Sequence, residues 1–160
     1  MLVGEQPGDR EDRERRPFVG PAGKLLDRAP AEAGIDPGEA YVTNAVKHFT
    51  FTRAEPRKRR IHKAPSPRET SACGPWLGAE PALVGPELIV VLGATAGKAL
   101  LGSSFRVGEV RGTVLEREIH GHPQRLVPTV HPPSVLRADD REGAYEGLVA
   151  DLKVAARVLA

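Results

Sequence analysis

The chain has 160 residues, enough for one domain with a substantial buried core. Hydrophobic residues make up 40% and aromatics 4%, so any stacking role falls on few side chains, and a net charge of +2 is too small by itself to imply a nucleic-acid partner. No apolar run is long enough to span a membrane, no signal peptide is visible, and the single cysteine, Cys73, excludes an intramolecular disulfide framework; a cytoplasmic location is the resulting expectation.

Residues 1–4 form the first apolar run and read as a buried strand. A domain rarely opens on a central strand, so a lead-in segment is expected to precede it in a longer parent. Residues 21–34 read as a helix with Leu25, Leu26 and Ala29 on one side. Proline inside a helix costs about 3 kcal/mol, so Pro30 predicts a kink or an end near Ala29. Residues 41–44 read as a second strand. Residues 49–67 lack apolar periodicity and read as a long loop, functional or disordered. Within it, residues 53–63 carry six basic side chains against one acid.

A helix follows over Pro67–Val84, opened by Ser66 as N-cap and by Pro67 at its first position. Residues 88–93 read as a third strand and 95–101 as a short helix. Residues 105–118 suggest a short hairpin or an edge strand, and 125–130 a fourth main strand. The last helix covers 142–159, with Tyr145, Leu148, Leu152, Ala155 and Leu159 at helical spacing. The main strands are apolar without strict alternation, as parallel strands covered on both faces are. Their alternation with helices indicates a single α/β domain over 1–160 with a largely parallel sheet.

Several segments carry candidate chemistry. Gly4-Glu5-Gln6-Pro7-Gly8 follows the first strand, where open α/β sheets place their ligands, although Pro and Gly also mark ordinary turns. Pro17-Phe18-Val19-Gly20-Pro21-Ala22-Gly23 sets one of four phenylalanines among small residues that permit close backbone approach. Phe18 can stack on a planar base, although taken alone it fits a core position better. Asn44 ends the second strand; its amide offers a donor and an acceptor, or simply caps the strand. His131, in His131-Pro132-Pro133-Ser134, follows the fourth strand and can stabilise developing negative charge. Arg57-Lys58-Arg59-Arg60-Ile61-His62-Lys63 is a basic run around one imidazole, which by itself indicates only affinity for phosphate.

Two patterns are rejected. Gly93-Ala94-Thr95-Ala96-Gly97-Lys98 has three residues where a phosphate-binding loop needs four, and Ala99 where it needs Ser or Thr, so it reads as a tight strand-to-helix turn. His120 and His122 sit in a Gly/Pro turn without a further ligand nearby.

In order and chemistry these motifs resemble the uracil-DNA glycosylase superfamily, in particular the UdgX type related to the family 4 iron–sulfur enzymes. The resemblance runs from Leu2 to the last helix. It implies a three-layer α/β/α sandwich around a central four-stranded, mainly parallel sheet. It also implies a DNA-repair hydrolase that binds uracil-containing DNA as a monomer and needs no membrane. Glu5, His62 and His131 would be catalytic, and Gln6, Phe18 and Asn44 would bind uracil. Lys58, Arg59, Arg60, Lys63, Ser134 and Arg137 would contact DNA. Uracil presents an acceptor at O4 beside a donor at N3, cytosine the reverse, so a fixed Asn44 selects uracil. Pro133 stands where the family usually carries the first serine of His-Pro-Ser-Ser, which is expected to weaken phosphate contacts.

In the UdgX type a histidine of the basic loop attacks DNA covalently, which assigns attack on the sugar C1′ to His62. An ordinary hydrolytic glycosylase, with His62 only binding phosphate, and an inactive DNA-binding remnant are the alternatives. Related family 4 enzymes hold a [4Fe-4S] cluster on four ligands. His48 and Cys73 match the third and fourth positions, and the N-terminal Cys-x-x-Cys pair is absent from this sequence. The cluster is therefore expected of a longer parent rather than of these residues alone, and Cys73 reads equally as a buried structural thiol.

Overall fold

Short β-branched runs pair in parallel here because their two faces are both covered. The computed structural model describes residues 1–53, 55 and 59–160. The strands are β1 (Leu2–Gly4), β2 (Val42–Asn44), β3 (Phe51–Thr52), β4 (Ile61–His62), β5 (Ile89–Leu92), β6 (Leu115–Ile119) and β7 (His122–Thr129). The helices are α1 (Asp9–Glu14), α2 (Pro21–Ala33), α3 (Pro67–Val84), α4 (Ala94–Leu101), α5 (Val107–Val110), α6 (Pro132–Arg137) and α7 (Arg141–Leu159). The main sheet runs β2-β1-β5-β7-β6, parallel throughout except for β6 against β7.

Successive strand residues point to opposite faces. Leu2, Val90, Leu92 and Val127 pack with Leu26 and Ala29 of α2, Val135 of α6 and Leu148 and Leu152 of α7. Val3, Ile89, Val91 and Leu126 pack with Leu77 of α3 and Ala96 of α4. The result is a three-layer α/β/α sandwich. Helix α3 starts where its sequence demands, in a capping box: Ser66 Oγ accepts from Glu69 N–H, and the Glu69 carboxylate accepts from Ser66 N–H at 2.7 Å.

The structure corrects four expectations. The sheet has five strands rather than four, because β6 joins as an antiparallel edge beside β7. His120 and Gly121, with φ of 47° and 82°, form the tight turn between them, a two-residue connection whose twist suits a hairpin. It is the edge strand expected within 105–118, and Glu116, Arg117 and Glu118, exposed on that edge, protect it from further pairing. Helix α2 continues through Pro30 to Ala33 and ends at Gly34, φ 89°. Pro30 is buried in the helix's packed face, and packing there outweighs the lost backbone bond. Residues 49–67 are not only loop, since β3 and β4 pair antiparallel, Phe51 opposite His62. Helices α1, α5 and α6 fall where no helix was expected; α1 buries no residue and so has no apolar period to read.

Candidate active site

Each of the four parallel strands ends at one polar side chain. Glu5 follows β1, Asn44 closes β2, Thr95 lies just beyond β5 on the first turn of α4, and His131 follows β7 as N-cap of α6. The chain runs from β1 outward to β2, then returns to the other side of β1 with β5, so the topological switch point lies between β1 and β5. Open α/β sheets bind ligands in the crevice outside such a point. A cleft of about 330 Å³ opens there, lined by Glu5, Gln6, Phe18, Asn44, His62 and His131 among others.

Glu5 is the centre of the polar contacts. Its Oε1 lies 3.2 Å from His62 Nε2, and its Oε2 accepts from the Thr95 hydroxyl at 2.5 Å. The Glu5 side chain is only 13% exposed, whereas that of His62 is 53% exposed. A mostly buried carboxylate thus meets a solvent-accessible imidazole in the cleft. Burial holds the His131 imidazole below its ordinary pKa; Glu5 opposes this, and Arg137 and His62 reinforce it. His131 is therefore neutral around neutral pH and able to donate a hydrogen bond without carrying charge.

The opposite part of the cleft is apolar and depends on glycine. Phe18 has a positive φ of 51°. Its carbonyl comes so close to Gly23 that a Cβ there would lie 1.6 Å away, so position 23 excludes any side chain. A Cβ on Gly4 would lie 2.5 Å from Asn44 Oδ1 and 3.0 Å from Phe18 Cζ. The ring and the amide therefore meet above Gly4. Asn44 is buried, and among the described residues its Oδ1 has no hydrogen-bond partner. A buried acceptor beside a flat apolar ring can accept from an N–H donor of a planar group.

The short β3–β4 ribbon brings His62 to this cleft. Gln6, expected to touch the base, lines the cleft and hydrogen-bonds the ribbon: Nε2 donates to the carbonyls of Lys63 at 3.0 Å and Thr50 at 3.4 Å, and Oε1 accepts from Thr50 N–H at 3.0 Å. Arg60, expected on DNA, points inward. Its guanidinium bonds the Asp9 carboxylate, Asp12 Oδ2 at 2.8 Å and the Asp9 carbonyl at 3.2 Å, and it stacks over Phe49 and Phe51 at 5.1 and 4.9 Å. Burial would raise the Asp9 pKa, but the bonds from Arg60 and Arg13 hold it below its ordinary value. Arg59 lines the cleft and is exposed, as are Lys63, Ser134 and Arg137. Ser134 Oγ donates to the His131 carbonyl at 2.6 Å. Lys58 lies outside the described residues.

Four contributors escaped the sequence reading. Thr95 was seen only as part of a tight turn. Glu11 of α1 accepts from Gly20 N–H at 2.9 Å, tying the loop after β1 to the Phe18 loop. Asp9 and Asp12 of α1 hold Arg60 and carried no expectation from the sequence. Only for Thr95 was a signal present, since it follows the carboxyl end of a central parallel strand.

Of the side chains matched to a [4Fe-4S] cluster, this sequence carries His48 and Cys73. His48 is exposed, its Nε2 3.8 Å from the Glu69 carboxylate, and the Cys73 thiol is buried and accepts from Lys47 N–H at 3.4 Å. Glu69 and Cys73 are one turn apart on α3, so the two expected ligands lie near each other. Among the described residues, however, no group of three or more His, Cys, Asp or Glu side chains gathers to hold a metal. Two ligands do not complete a set of four. No helix among the described residues is long and apolar enough to cross a membrane.

Sheet order, cleft and carboxylate–imidazole pair define an open α/β domain whose polar groups converge on one cleft at the strand ends. The family model of the uracil DNA glycosylase superfamily matches residues 1–153. The chain is 35% identical over 150 residues to a type-4 uracil-DNA glycosylase of Pyrobaculum aerophilum, covering 91% of this chain and 72% of that protein. It is 37% identical over 143 residues to a type-4 uracil-DNA glycosylase of Thermotoga maritima, covering 89% and 68% respectively. This chain belongs to the uracil DNA glycosylase superfamily.

Proposed function

We propose that this chain excises uracil from DNA and captures the resulting sugar through His62. The unpartnered Asn44 acceptor beside Phe18 supports uracil as the base: N3–H of a flipped uracil supplies the missing donor, and the Asn44 amide N–H faces O4. The names of the relatives support the same activity. Arg59, Lys63, Ser134 and Arg137, with Lys58 of the same basic run, hold phosphates in a salt-sensitive contact. Phe18 stacks on the base. Gln6 and Arg60 serve the reaction by holding the ribbon that carries His62.

As the glycosidic bond breaks, its electron pair leaves with uracil, and neutral His131 donates a hydrogen bond to the developing anion. The Glu5 carboxylate stabilises the cationic sugar. The 3.2 Å contact between Glu5 and His62 carries the second half of the proposal. His62 Nε2 forms the bond to C1′ while its proton passes to Glu5, leaving a neutral N-alkyl imidazole, a protonated Glu5 and a uracil anion. A neutral imidazole so attached is a poor leaving group, and the adduct persists.

The relatives' names favour a second reading, in which Glu5 activates water and His62 only assists binding. A denaturing gel of protein with a uracil-containing oligonucleotide, beside a thymine control, separates the two. A heat-stable, uracil-dependent band of combined mass that is lost in His62→Ser, with free abasic DNA in its place, is the expected result. Free abasic DNA from the unaltered protein assigns hydrolysis. Neither product from the thymine or the uracil strand refutes the glycosylase reading.

A further inference from the structure

The Glu5 carboxylate has two oxygens in different company. Oε1 meets His62, whereas Oε2 accepts a 2.5 Å hydrogen bond from Thr95 Oγ1, ninety residues away in sequence. A glutamate carboxylate on its flexible stem can turn about its last bonds, and a contact on one oxygen alone leaves that rotation open. Thr95 supplies the second contact from the far side of the switch point. It is itself well placed to do so: it is β-branched and stiff at χ1, and it sits on the first turn of α4, which Gly93 turns in at φ 93°. At Gly93 a Cβ would come within 2.7 Å of His131 Cβ, so the same turn brings Thr95 and His131 to the cleft together.

We infer that Thr95 is a positioning residue for Glu5: its hydroxyl fixes the carboxylate so that Oε1 faces His62 and the sugar C1′. This inference rests on the glycosylase reading above. Its failure and the failure of that reading have separate signatures.

Thr95→Val keeps the size and branching of the side chain and removes the donor; Thr95→Ser keeps the donor. In uracil release, Thr95→Val is expected to lose about 10- to 100-fold in kcat with KM within about twofold, the mark of a misplaced reacting group rather than lost substrate binding. Thr95→Ser is expected to stay within about threefold of the unaltered protein, which a purely structural role for the methyl group would not produce. Proton NMR supplies a readout that needs no turnover. A hydroxyl proton held against a carboxylate exchanges slowly and resonates downfield; it should appear in the unaltered protein, vanish in Thr95→Val and move upfield in Glu5→Gln. A folded Thr95→Val protein with unchanged kcat overturns the inference, as does the absence of that proton from the unaltered protein. If the unaltered protein releases no uracil, the glycosylase reading falls, and the hydroxyl signal alone decides whether Thr95 holds Glu5.

Discussion

Gly4→Ala separates the site from the fold more cleanly than any change to a polar residue. Gly4 lacks a positive φ, so alanine suits its backbone, and the loss of unfolded-state entropy favours the variant by about 0.4–1 kcal/mol. The added methyl would stand 2.5 Å from Asn44 Oδ1, about 0.9 Å inside the 3.4 Å of an ordinary contact, and 3.0 Å from Phe18 Cζ. The nearer atom is the end of a side chain, so the amide can turn aside without disturbing the strands. That displacement is close to the 1 Å that costs about 100-fold when it misplaces a reacting or reading group. The protein should therefore melt within about 3 °C of the unaltered chain, since 1 kcal/mol shifts a domain of this size by about 2–4 °C. Its kcat/KM for uracil release from a uracil-containing oligonucleotide should fall about 100-fold. A Gly4→Ala protein with full activity would refute the role given to Asn44 and Phe18. A collapse of the melting temperature would refute the argument that the amide yields first.

The remaining predictions concern the ribbon and the buried imidazole. Arg60→Ala removes a guanidinium that is 11% exposed and bonded to two carboxylates. The ribbon loses those bonds, so the described residues 59–63 should become sensitive to trypsin and covalent capture by His62 should slow, both read on denaturing gels. Resistance equal to that of the unaltered protein would exclude this role for Arg60. His131 has a folded pKa below its ordinary 6.5, so the unfolded chain binds its proton first as pH falls. Its contribution to stability is thus intact above the ordinary value and is lost as pH falls from there through the lowered folded value. Urea unfolding at pH 7.5 and 5.0 should show a smaller loss on acidification in His131→Gln than in the unaltered protein; equal losses would contradict the assignment of burial as the cause.

The main strands and the long helices were legible because burial leaves a periodic trace. The four parallel strands read as apolar runs, and α3 announced its start through Ser66 and Pro67. Much of the candidate site was legible for a different reason, since Glu5, Asn44 and His131 each follow a strand and parallel strands collect their ends at one edge. What failed was local chemistry without a period. Helix α1 is wholly charged, and Pro30 is accommodated by packing that the local sequence does not record.

The partnering of side chains was decided by the tertiary structure alone. Arg60 stands next to Arg59 in the chain and looks like it, yet Arg60 turns inward to Asp9 and Asp12 while Arg59 is exposed on the cleft. Gln6 holds a ribbon more than forty residues away, and Thr95 meets Glu5 across ninety. Sequence by itself determined the periodic elements and the residue types available at strand ends, because those follow from neighbours along the chain. Which oxygen meets which donor followed only from the folded arrangement, because a hydrogen bond depends on distances of about 3 Å between elements that sequence separation does not constrain.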